Sequence, residues 1–252
     1  MPSELDVDIY SWTKTWALSA GLKLWAEETA PSTNTVAKDD TSAITHPNLE
    51  GGEAVSPPTL YITRNQTHGR GRSEHVWTMP PGSSLLSSWS FALARVPQPI
   101  FSPLAGLALF ESVNDVWPSV DFNLKAPNDL FIGEKKTAGL LIETIDRGST
   151  RHTVVGLGLN VTASPPSVLT ATCLADHTAQ LTTASWHLFL TGFCARLRLA
   201  LKAGQSEYLD EESRRRLKDA LNLHPHLREP ILEVDEHGQL RSKSRMIYWH
   251  EL

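Results

Sequence analysis

The chain has 252 residues, of which 40% are hydrophobic and 20% are charged; this composition is typical of a packed globular protein and argues against a disordered one. Its formal net charge of −5 argues against a protein that coats nucleic acid, because such domains usually carry a basic surface. The length suits one large domain, or one domain with a small appendage.

The N-terminus and the apolar stretches predict a soluble, cytoplasmic protein with no membrane partner. The chain begins "MPSELDVDIY", which is acidic and lacks the basic region and apolar run of a signal peptide. The longest apolar stretch, residues 186–201, contains Arg196 and Arg198 and is shorter than the roughly 20 residues of a membrane span. Cys173 and Cys194 are the only cysteines and lack metal-type spacing, so we expect reduced thiols.

In chain order, an irregular opening precedes a short helix, for which Ser32, Thr33 and Asn34 are the N-cap candidates. Residues 39–58 form a polar loop rich in Gly, Pro and Thr. The stretch "TLYIT" (residues 59–63) then alternates as a strand does, and it leads into a segment of alternating Gly and Arg.

A second strand and a long helix follow this segment. The stretch "SSLLSSWSFAL" (residues 83–93) predicts the strand, and Ser102 followed by Pro103 predicts the start of the helix. One face of that helix would consist of Leu107, Phe110, Val113 and Trp117.

The remaining elements complete an α+β pattern. Strands are predicted by the apolar runs 122–126, 129–132, 137–145 and 153–162. Helices are predicted over residues 185–204 and 206–221, and residues 230–252 contain two strand-like runs around a Gly-containing turn. We therefore predict an α+β fold in which a mixed sheet packs on helices. We place the main domain at residues 1–205 and a small C-terminal appendage at residues 206–252.

The segment "NQTHGRGRSEHVW", Asn65 to Trp77, contains the first candidate site. Glycines let backbone N–H groups approach an anion closely, and arginines supply planar, permanently charged donors that match phosphate or carboxylate. A solvated surface loop is the simpler interpretation of such a segment. Taken alone, the segment leaves both interpretations open.

A second polar cluster, in "LKAPNDLFIGEKKTAGLLIE", favours anion binding. Pro127 makes the turn rigid, so Lys125, Asn128 and Asp129 are presented in a fixed arrangement, with Lys136 ahead of the next strand. Asp129 could hold a divalent ion or a ribose or phosphate-linked donor, although an Asx turn is its more common role.

Glycines in the strand "VVGLGLNV" mark a third candidate. Gly156 and Gly158 predict the close approach of a ligand or of another backbone. The stretch is not a dinucleotide fingerprint, because it lacks the third Gly and the helix that should follow.

Together these motifs resemble the biotin protein ligases, which act on biotin carboxyl carrier proteins. The resemblance runs from residue 26 to about residue 200. Its elements are "STN" (32–34), "QTHGRGRSEHVW" (66–77), "PGSSLLSS" (81–88), "LAGLALFESV" (104–113), "LKAPNDLFIGEKKTAGLLIE" (124–143) and "GLGLNV" (156–161). It implies a biotin/lipoate ligase-like catalytic domain in residues 1–205 and a shortened version of the family's barrel-like C-terminal domain after it.

The resemblance also implies a reaction, with biotin, ATP and Mg²⁺ as its small molecules. The biotin carboxylate would attack the α-phosphate of MgATP to give biotinyl-5′-AMP, and a lysine of a biotin carboxyl carrier protein would then take the biotin. The Gly-Arg segment would be a lid over the adenylate. No nucleic-acid partner is expected, because only about 30 residues precede Ser32, too few for a helix-turn-helix module and its linker.

The family pattern assigns roles to particular residues of this chain. Catalytic roles fall to Arg72, Lys136 and Asp129. Biotin would contact Ser32, Thr33, Asn34, Gln66, Arg70, Gly71, Arg72 and Lys136, although helix capping is the simpler role for Asn34. ATP would contact Trp77, Asn128, Asp129 and Asn160. The lid would consist of Gly69, Arg70, Gly71 and Arg72, and Asp129 would hold Mg²⁺.

Several departures from the family pattern keep other functions open. Glu74 and His75 stand where family members often have Gly-Arg, which should weaken the grip on phosphate, and Ala126 stands where they usually have Trp. The region around residues 84–86, Ser-Leu-Leu here, is often Asn-Leu-Tyr. The alternatives are a lipoate or octanoate ligase on the same fold and a non-catalytic biotin-binding protein.

Overall fold

The computed structural model describes residues 7–40, 55, 57–72, 76–93, 95–147, 150–225 and 227–252. Most of the predicted polar loop over residues 39–58 lies outside these ranges, and so do Glu74 and His75. Within the described ranges the predicted α+β class is confirmed: a seven-stranded mixed sheet packs on helices, and a small sheet follows at the C-terminal end.

The main sheet holds its strands in the order β1-β2-β3-β7-β6-β5-β4. Strands β1 and β2 pair in parallel, and the other neighbours pair antiparallel. The strands are β1 (Lys23–Ala30), β2 (Thr59–Gln66), β3 (Ser84–Leu93), β4 (Phe122–Lys125), β5 (Asp129–Ile132), β6 (Lys135–Arg147) and β7 (Thr150–Asn160). Every run that was predicted to be a strand up to residue 162 is one.

The helices are α1 (Ile9–Ser19), α2 (Thr33–Asp39), α3 (Phe101–Val116), α4 (Thr183–Gly204) and α5 (Glu211–Leu221). An aromatic cluster forms the centre of the core, in which Trp89 packs edge-on to Phe193 and Trp117 packs near Trp186. The predicted face of α3 is buried, but so are most of its other residues, because this helix lies inside the core. Gly106 in α3 lets the turn before β5 come close, since a Cβ there would lie 2.8 Å from the Pro127 carbonyl oxygen.

The predicted irregular opening is wrong. Helix α1 begins after Asp8, whose carboxylate accepts from the Ser11 amide at 3.1 Å, a standard N-cap contact. Strand β1 was missed because it lies at the edge of the sheet and most of its residues are at least partly exposed. An edge strand therefore gives little apolar alternation to detect.

Two helices begin at residues other than those predicted. Helix α3 begins at Phe101, before Ser102 and Pro103, because proline is tolerated within the first turn of a helix. Helix α5 begins at Glu211 instead of residue 206, because the Asp210 carboxylate accepts from the Ser213 amide at 2.7 Å and fixes the start there.

The C-terminal end forms three short antiparallel strands, not the two predicted runs. They are β8 (Glu233–Val234), β9 (Leu240–Arg241) and β10 (Met246–Ile247), in the order β10-β9-β8. The predicted Gly-containing turn joins β8 to β9, with Gly238 at a φ of +77°. Leu217 and Leu240 belong to the same apolar cluster as the main sheet, and a domain boundary at residue 205 stays a prediction.

Both cysteines are free thiols, as predicted. Burial raises the pKa of Cys173 and of Cys194 to about 11, so both thiols are protonated at neutral pH. Among the described helices, none has the length and apolar character needed to cross a membrane.

Candidate functional site

Side chains from α2, β2 and β3 form a buried polar cluster at one side of the candidate site. The Thr33 amide donates to Gln66 Oε1 at 2.8 Å. The Ser88 hydroxyl lies 2.8 Å from Thr33 Oγ1 and donates to Asn34 Oδ1 at 2.5 Å. Ser32 occupies the predicted N-cap position, but its side chain makes no capping hydrogen bond within the described chain. The Gln66 side chain, and not that of Ser32, therefore accepts from the first helical amide.

Asn34 has a different role from the predicted helix cap. Its Nδ2 donates to the Leu141 carbonyl oxygen at 3.2 Å and to Glu143 Oε2 at 2.9 Å, both on β6. The absence of a side chain at Gly156 makes this packing possible, since a Cβ there would lie 2.3 Å from Asn34 Oδ1. Asn34 thus ties α2 to the face of the sheet.

The Gly-Arg segment forms the closed base of a loop. The Trp77 amide donates to the Gly69 carbonyl oxygen at 3.0 Å, and Arg70 and Val76 form an antiparallel bridge. A Cβ at Gly69 would lie 2.1 Å from the Trp77 carbonyl oxygen, so this position requires glycine. The loop is therefore not a solvated connection of arbitrary shape, because its two sides are paired to each other.

Each arginine of the loop binds a side chain of the sheet or of the proline turn. Arg70 donates to the two carboxylate oxygens of Glu143 at 2.9 and 3.3 Å. Arg72 donates to Asn128 Oδ1 at 2.6 Å, and Asn128 Nδ2 donates in turn to the Leu140 carbonyl oxygen at 2.6 Å. The buried amide of Asn128 thus connects Arg72 to β6.

Lys136 and Asp129 form an ion pair beside the loop, with 2.8 Å between Nζ and Oδ2. The Lys136 ammonium also lies 5.9 Å from the centre of the Trp77 ring, within the range of a cation–π contact. The Lys136 backbone pairs with the segment at residues 170–172, where it donates to Thr170 and accepts from Thr172. This pairing fixes the lysine near the start of β6.

Trp77 and Asn160 each present an unpaired polar atom. Asn160 is 2% exposed, and its Nδ2 donates to the Thr172 carbonyl oxygen at 3.0 Å. Its buried Oδ1 and the buried Nε1 of Trp77 have no hydrogen-bond partner among the described residues. Buried polar groups are normally paired, so an acceptor and a donor left open in one cavity indicate a ligand site.

The glycines of β7 accommodate side chains of the chain itself, not a ligand or another backbone as predicted. Gly156 receives Asn34, as described above. A Cβ at Gly158 would lie 2.6 Å from Trp77 Cε2, so this glycine makes room for the indole ring.

A cavity of about 650 Å³ collects most of the predicted site residues. They are Arg70, Gly71, Arg72, Trp77, Asn128, Asp129, Lys136 and Asn160. Among the described residues, Arg70, Arg72 and Lys136 contribute three cationic side chains to its lining, and Asp129 contributes the one carboxylate. This excess of positive charge suits an anionic ligand.

Five predicted residues do not line this cavity: Ser32, Thr33, Asn34, Gln66 and Gly69. Their connection to it is indirect. Asn34 and Arg70 share the Glu143 carboxylate, and Gly69 is paired to Trp77. The structure therefore brings together in the cavity the residues predicted for ATP, the lid residues other than Gly69, and half of the predicted biotin residues; the other biotin residues lie outside the cavity lining.

The expected magnesium ion fits this cavity only as part of a nucleotide. Asp129 is the sole carboxylate that the described part of the chain contributes to the lining, and its Oδ2 pairs with Lys136. The described residues contain no group of three or more His, Cys, Asp or Glu side chains that could hold a metal. Mg²⁺ often binds through one carboxylate and the phosphates of a substrate, so Asp129 suffices for an ion that arrives with ATP.

Residues that the sequence did not single out also contribute to the site. Glu143 binds Arg70 and Lys38, Ser88 binds Asn34, and the segment 165–171 lines one wall of the cavity. The sequence offered one weak signal for each of the first two: Glu143 directly follows an apolar run, and Ser88 is a polar residue within a predicted strand. Nothing in the residues 165–171 marks them as a cavity wall.

The chain is similar to known ligases over part of its length. Over 125 residues the chain is 35% identical to biotin–protein ligase 1 of Arabidopsis thaliana, a match that covers 46% of this chain and 32% of that protein. Over 114 residues it is 35% identical to the biotin–[acetyl-CoA-carboxylase] ligase of Mycobacterium tuberculosis, covering 43% of this chain and 41% of that protein. The match thus spans less than half of either relative.

Solved structures share the fold. The biotin protein ligase of Aquifex aeolicus, in complex with biotin and ATP, superposes with a TM-score of 0.66 at 22% identity, covering 89% of this chain and 95% of that one. A biotin protein ligase-like protein of unknown function from Silicibacter superposes with a TM-score of 0.53 at 14% identity, covering 90% and 93%. The model of the biotin/lipoate A/B protein ligase family matches residues 28–160, which is more than half of the chain. The chain belongs to the biotin/lipoate A/B protein ligase family.

Proposed function

We propose that the chain is an ATP-dependent biotin ligase. It would form biotinyl-5′-AMP from biotin and MgATP and transfer the biotin to a specific lysine of a biotin carboxyl carrier protein. The observation that carries this proposal is the cationic cavity that Arg72 and Lys136 line together with Trp77 and Asn160, each of which has a buried polar atom without a partner among the described residues. The names of the relatives, biotin–protein ligases and biotin–[acetyl-CoA-carboxylase] ligases, support biotin as the acid and a carboxylase carrier as the acceptor.

In the first step, a carboxylate oxygen of biotin attacks the α-phosphorus of ATP, the bond to the β-phosphate breaks, and pyrophosphate leaves. Two anions must approach each other, so the chemistry needs fixed cations more than it needs a nucleophile on the enzyme. Lys136 and Arg72 would supply this charge, because both line the cavity and are held by neighbouring side chains. Mg²⁺ arriving with ATP would neutralise phosphate oxygens, with Asp129 as its protein ligand.

In the second step, the amine of a carrier lysine attacks the acyl carbonyl of the adenylate. A C–N bond forms, the bond between the acyl carbon and the phosphate oxygen breaks, AMP leaves, and the amine loses a proton. Until then the mixed anhydride must be kept from water. The paired base of the Gly-Arg loop, Gly69 to Trp77, would provide this shield over the cavity.

The adenine would lie against Trp77, with Asn160 reading its edge. An adenine amino group is a donor, which suits Oδ1 of Asn160, a buried acceptor that has no partner among the described residues. Biotin would extend toward the cluster of Ser32, Thr33 and Gln66. Arg70 lines the cavity, and Glu143, to which it donates, also accepts from Asn34 on the side of that cluster.

Two other functions are compatible with the family. A ligase for lipoate or octanoate would use the same fold and the same adenylation chemistry. A non-catalytic binding protein would keep the cavity without transferring the acid; the departures at Glu74, His75 and Ala126 motivate this alternative.

Pyrophosphate release distinguishes these functions. The chain is incubated with MgATP and, in turn, with biotin, lipoate and octanoate. The proposal predicts release that depends on biotin. Release that depends on lipoate or octanoate would instead identify an acyl ligase of the second kind, and biotin binding without release would identify a binding protein.

A further inference from the structure

A single carboxylate on β6 connects the Gly-Arg loop to α2. Glu143 accepts from Arg70 at 2.9 and 3.3 Å, from Lys38 at 2.8 Å and from Asn34 at 2.9 Å. Arg70 belongs to the loop, and Lys38 and Asn34 belong to the helix. The loop and the helix therefore meet at one side chain of the sheet.

The burial of these groups makes the contact a fixed one. The Glu143 side chain is 18% exposed, against 26% for Lys38 and 42% for Arg70. A carboxylate removed from water to this degree needs charged or hydrogen-bonding partners, and this one has three. Burial alone would raise the pKa of Glu143, but the hydrogen bonds from Lys38, Asn34 and Arg70 outweigh burial and lower it.

The helix side of this contact is rigid. Asn34 is 3% exposed and is bound from three directions, by Leu141, by Ser88 and by Glu143 itself. Gly156 lies directly beneath it. Arg70 is the most exposed of the three partners of Glu143. We therefore take Glu143, together with Asn34 and Lys38, as the fixed part of this contact, and Arg70 as the side chain that it holds in place.

We infer that Glu143 is a positioning residue: by binding Arg70, it holds the Gly-Arg loop in position over the cavity before any substrate binds. Glu143 does not belong to the lining of the cavity, so it acts through Arg70 and not on the reacting atoms. The consequence for catalysis rests on the proposed function, in which this loop covers the adenylate. The anchoring itself does not depend on which acid the chain activates.

Trypsin measures the anchoring without any substrate, because Arg70 and Arg72 are cleavage sites within the loop. Cleavage of a native protein follows the population of its locally open form. The variant Glu143→Gln keeps the shape of the side chain and removes its charge. We expect cleavage after Arg72 to become about five- to tenfold faster, since the loop loses a charge-assisted contact.

Asp146→Asn is the matched control. Asp146 lies on the same strand and pairs at 3.6 Å with Arg151, but it is 61% exposed and belongs to neither the loop nor the cavity. In Asp146→Asn, the rate of cleavage after Arg72 should stay within about twofold of that of the parent. Arg70→Gln removes the same contact from the loop side, leaves Lys38 and Asn34 on Glu143, and should also speed cleavage after Arg72. This variant decides the question if Glu143→Gln does not fold.

Kinetics then test the consequence. If a preset loop lowers the cost of binding, Glu143→Gln should raise the KM for biotin about fivefold and change kcat by less than about twofold. The double variant Glu143→Gln, Arg70→Gln should raise the KM for biotin by less than the product of the two single effects, because both single variants remove the Arg70–Glu143 contact.

The two failures are distinguishable. If cleavage after Arg72 is within about twofold of the parent in both Glu143→Gln and Arg70→Gln, the anchoring is wrong, whatever the chain catalyses. If the parent releases no biotin-dependent pyrophosphate, the proposed function is wrong, and the cleavage rates still decide whether Glu143 anchors the loop.

Discussion

The indole ring of Trp77 lies directly on the backbone of Gly158, where a Cβ would come within 2.6 Å of Trp77 Cε2. Gly158 is in the middle of the sheet, paired with Leu86 on β3 and with Gly139 on β6. The end of the Gly-Arg loop is thus placed on the sheet by the absence of a side chain. This contact fixes the ring on which the adenine is proposed to lie.

Gly158→Ala should therefore weaken nucleotide binding. The added methyl group would displace the ring, and because stacking of a base on an aromatic side chain contributes roughly 1–3 kcal/mol, the KM for ATP should rise about tenfold. Gly192→Ala on α4 is the control, since the nearest atom to a Cβ there is the flexible end of Arg196 at 3.1 Å, and Ser112 follows at ordinary contact distance. An unchanged KM for ATP in Gly158→Ala would separate Trp77 from the nucleotide site.

Lys136→Ala should lower the rate of adenylate formation about 100-fold, because two anions would have to meet without their fixed cation. The fold should persist, with a thermal midpoint within about 3 °C of the parent, since a partly exposed ion pair contributes only about 0–1 kcal/mol. Lys135→Ala, which removes the exposed neighbouring lysine, serves as the control. A rate within about twofold of the parent would remove Lys136 from the mechanism.

Arg72→Gly should let the adenylate escape. Arg72 is held on Asn128 at 2.6 Å, and without its guanidinium the loop loses its connection to the proline turn. Biotinyl-AMP that diffuses away should label lysines of bystander proteins, detectable by blotting for biotin in a mixture with an unrelated protein. Arg72→Lys keeps a cation and should label bystanders less. Labelling confined to the carrier in Arg72→Gly would contradict the lid role.

Stability in acid should depend on Glu143. Hydrogen bonds from Lys38, Asn34 and Arg70 hold its pKa below the ordinary value of 4.5 in spite of burial. A carboxyl group with a lowered pKa in the folded state stabilises the fold above its unfolded pKa, and this stabilisation is lost as the pH falls through the folded pKa. Glu143→Gln should therefore lose less free energy of unfolding than the parent as the pH is lowered from about 4.5. Equal slopes in urea unfolding at several pH values would contradict this.

Strands within the sheet were predictable, and its edge was not. The stretches that form β2, β3, β6 and β7 contain apolar runs bounded by polar turns, so their composition predicts that they are buried. β1 contains two glutamates and a lysine and is largely exposed, so its place in the sheet depends on pairing with β2, which begins only at Thr59. Pairing of this kind depends on tertiary structure, which local periodicity cannot predict.

The candidate site was predicted as a set of motifs, but its internal contacts were not. The motifs placed Arg72, Asn128, Asp129 and Lys136 in one site, and the cavity contains all four. The role of Glu143 was missed because its partners lie 73 and 109 residues away along the chain. The sequence favours a helix cap for Asn34, because Asn near the start of a helix is usually one. Its actual position against the sheet depends on Gly156, which belongs to a different motif.

The central claim is that the Gly-Arg loop and Lys136 close on an acyl adenylate. A crystal structure of the chain with biotinyl-5′-AMP tests it most directly. The account predicts the adenylate in the cavity between Trp77 and Lys136, with the Arg72 guanidinium and the Lys136 ammonium within about 3.2 Å of its phosphate or acyl oxygens. An adenylate bound elsewhere, or a loop whose arginines face bulk solvent and contact neither biotin nor AMP, would contradict it.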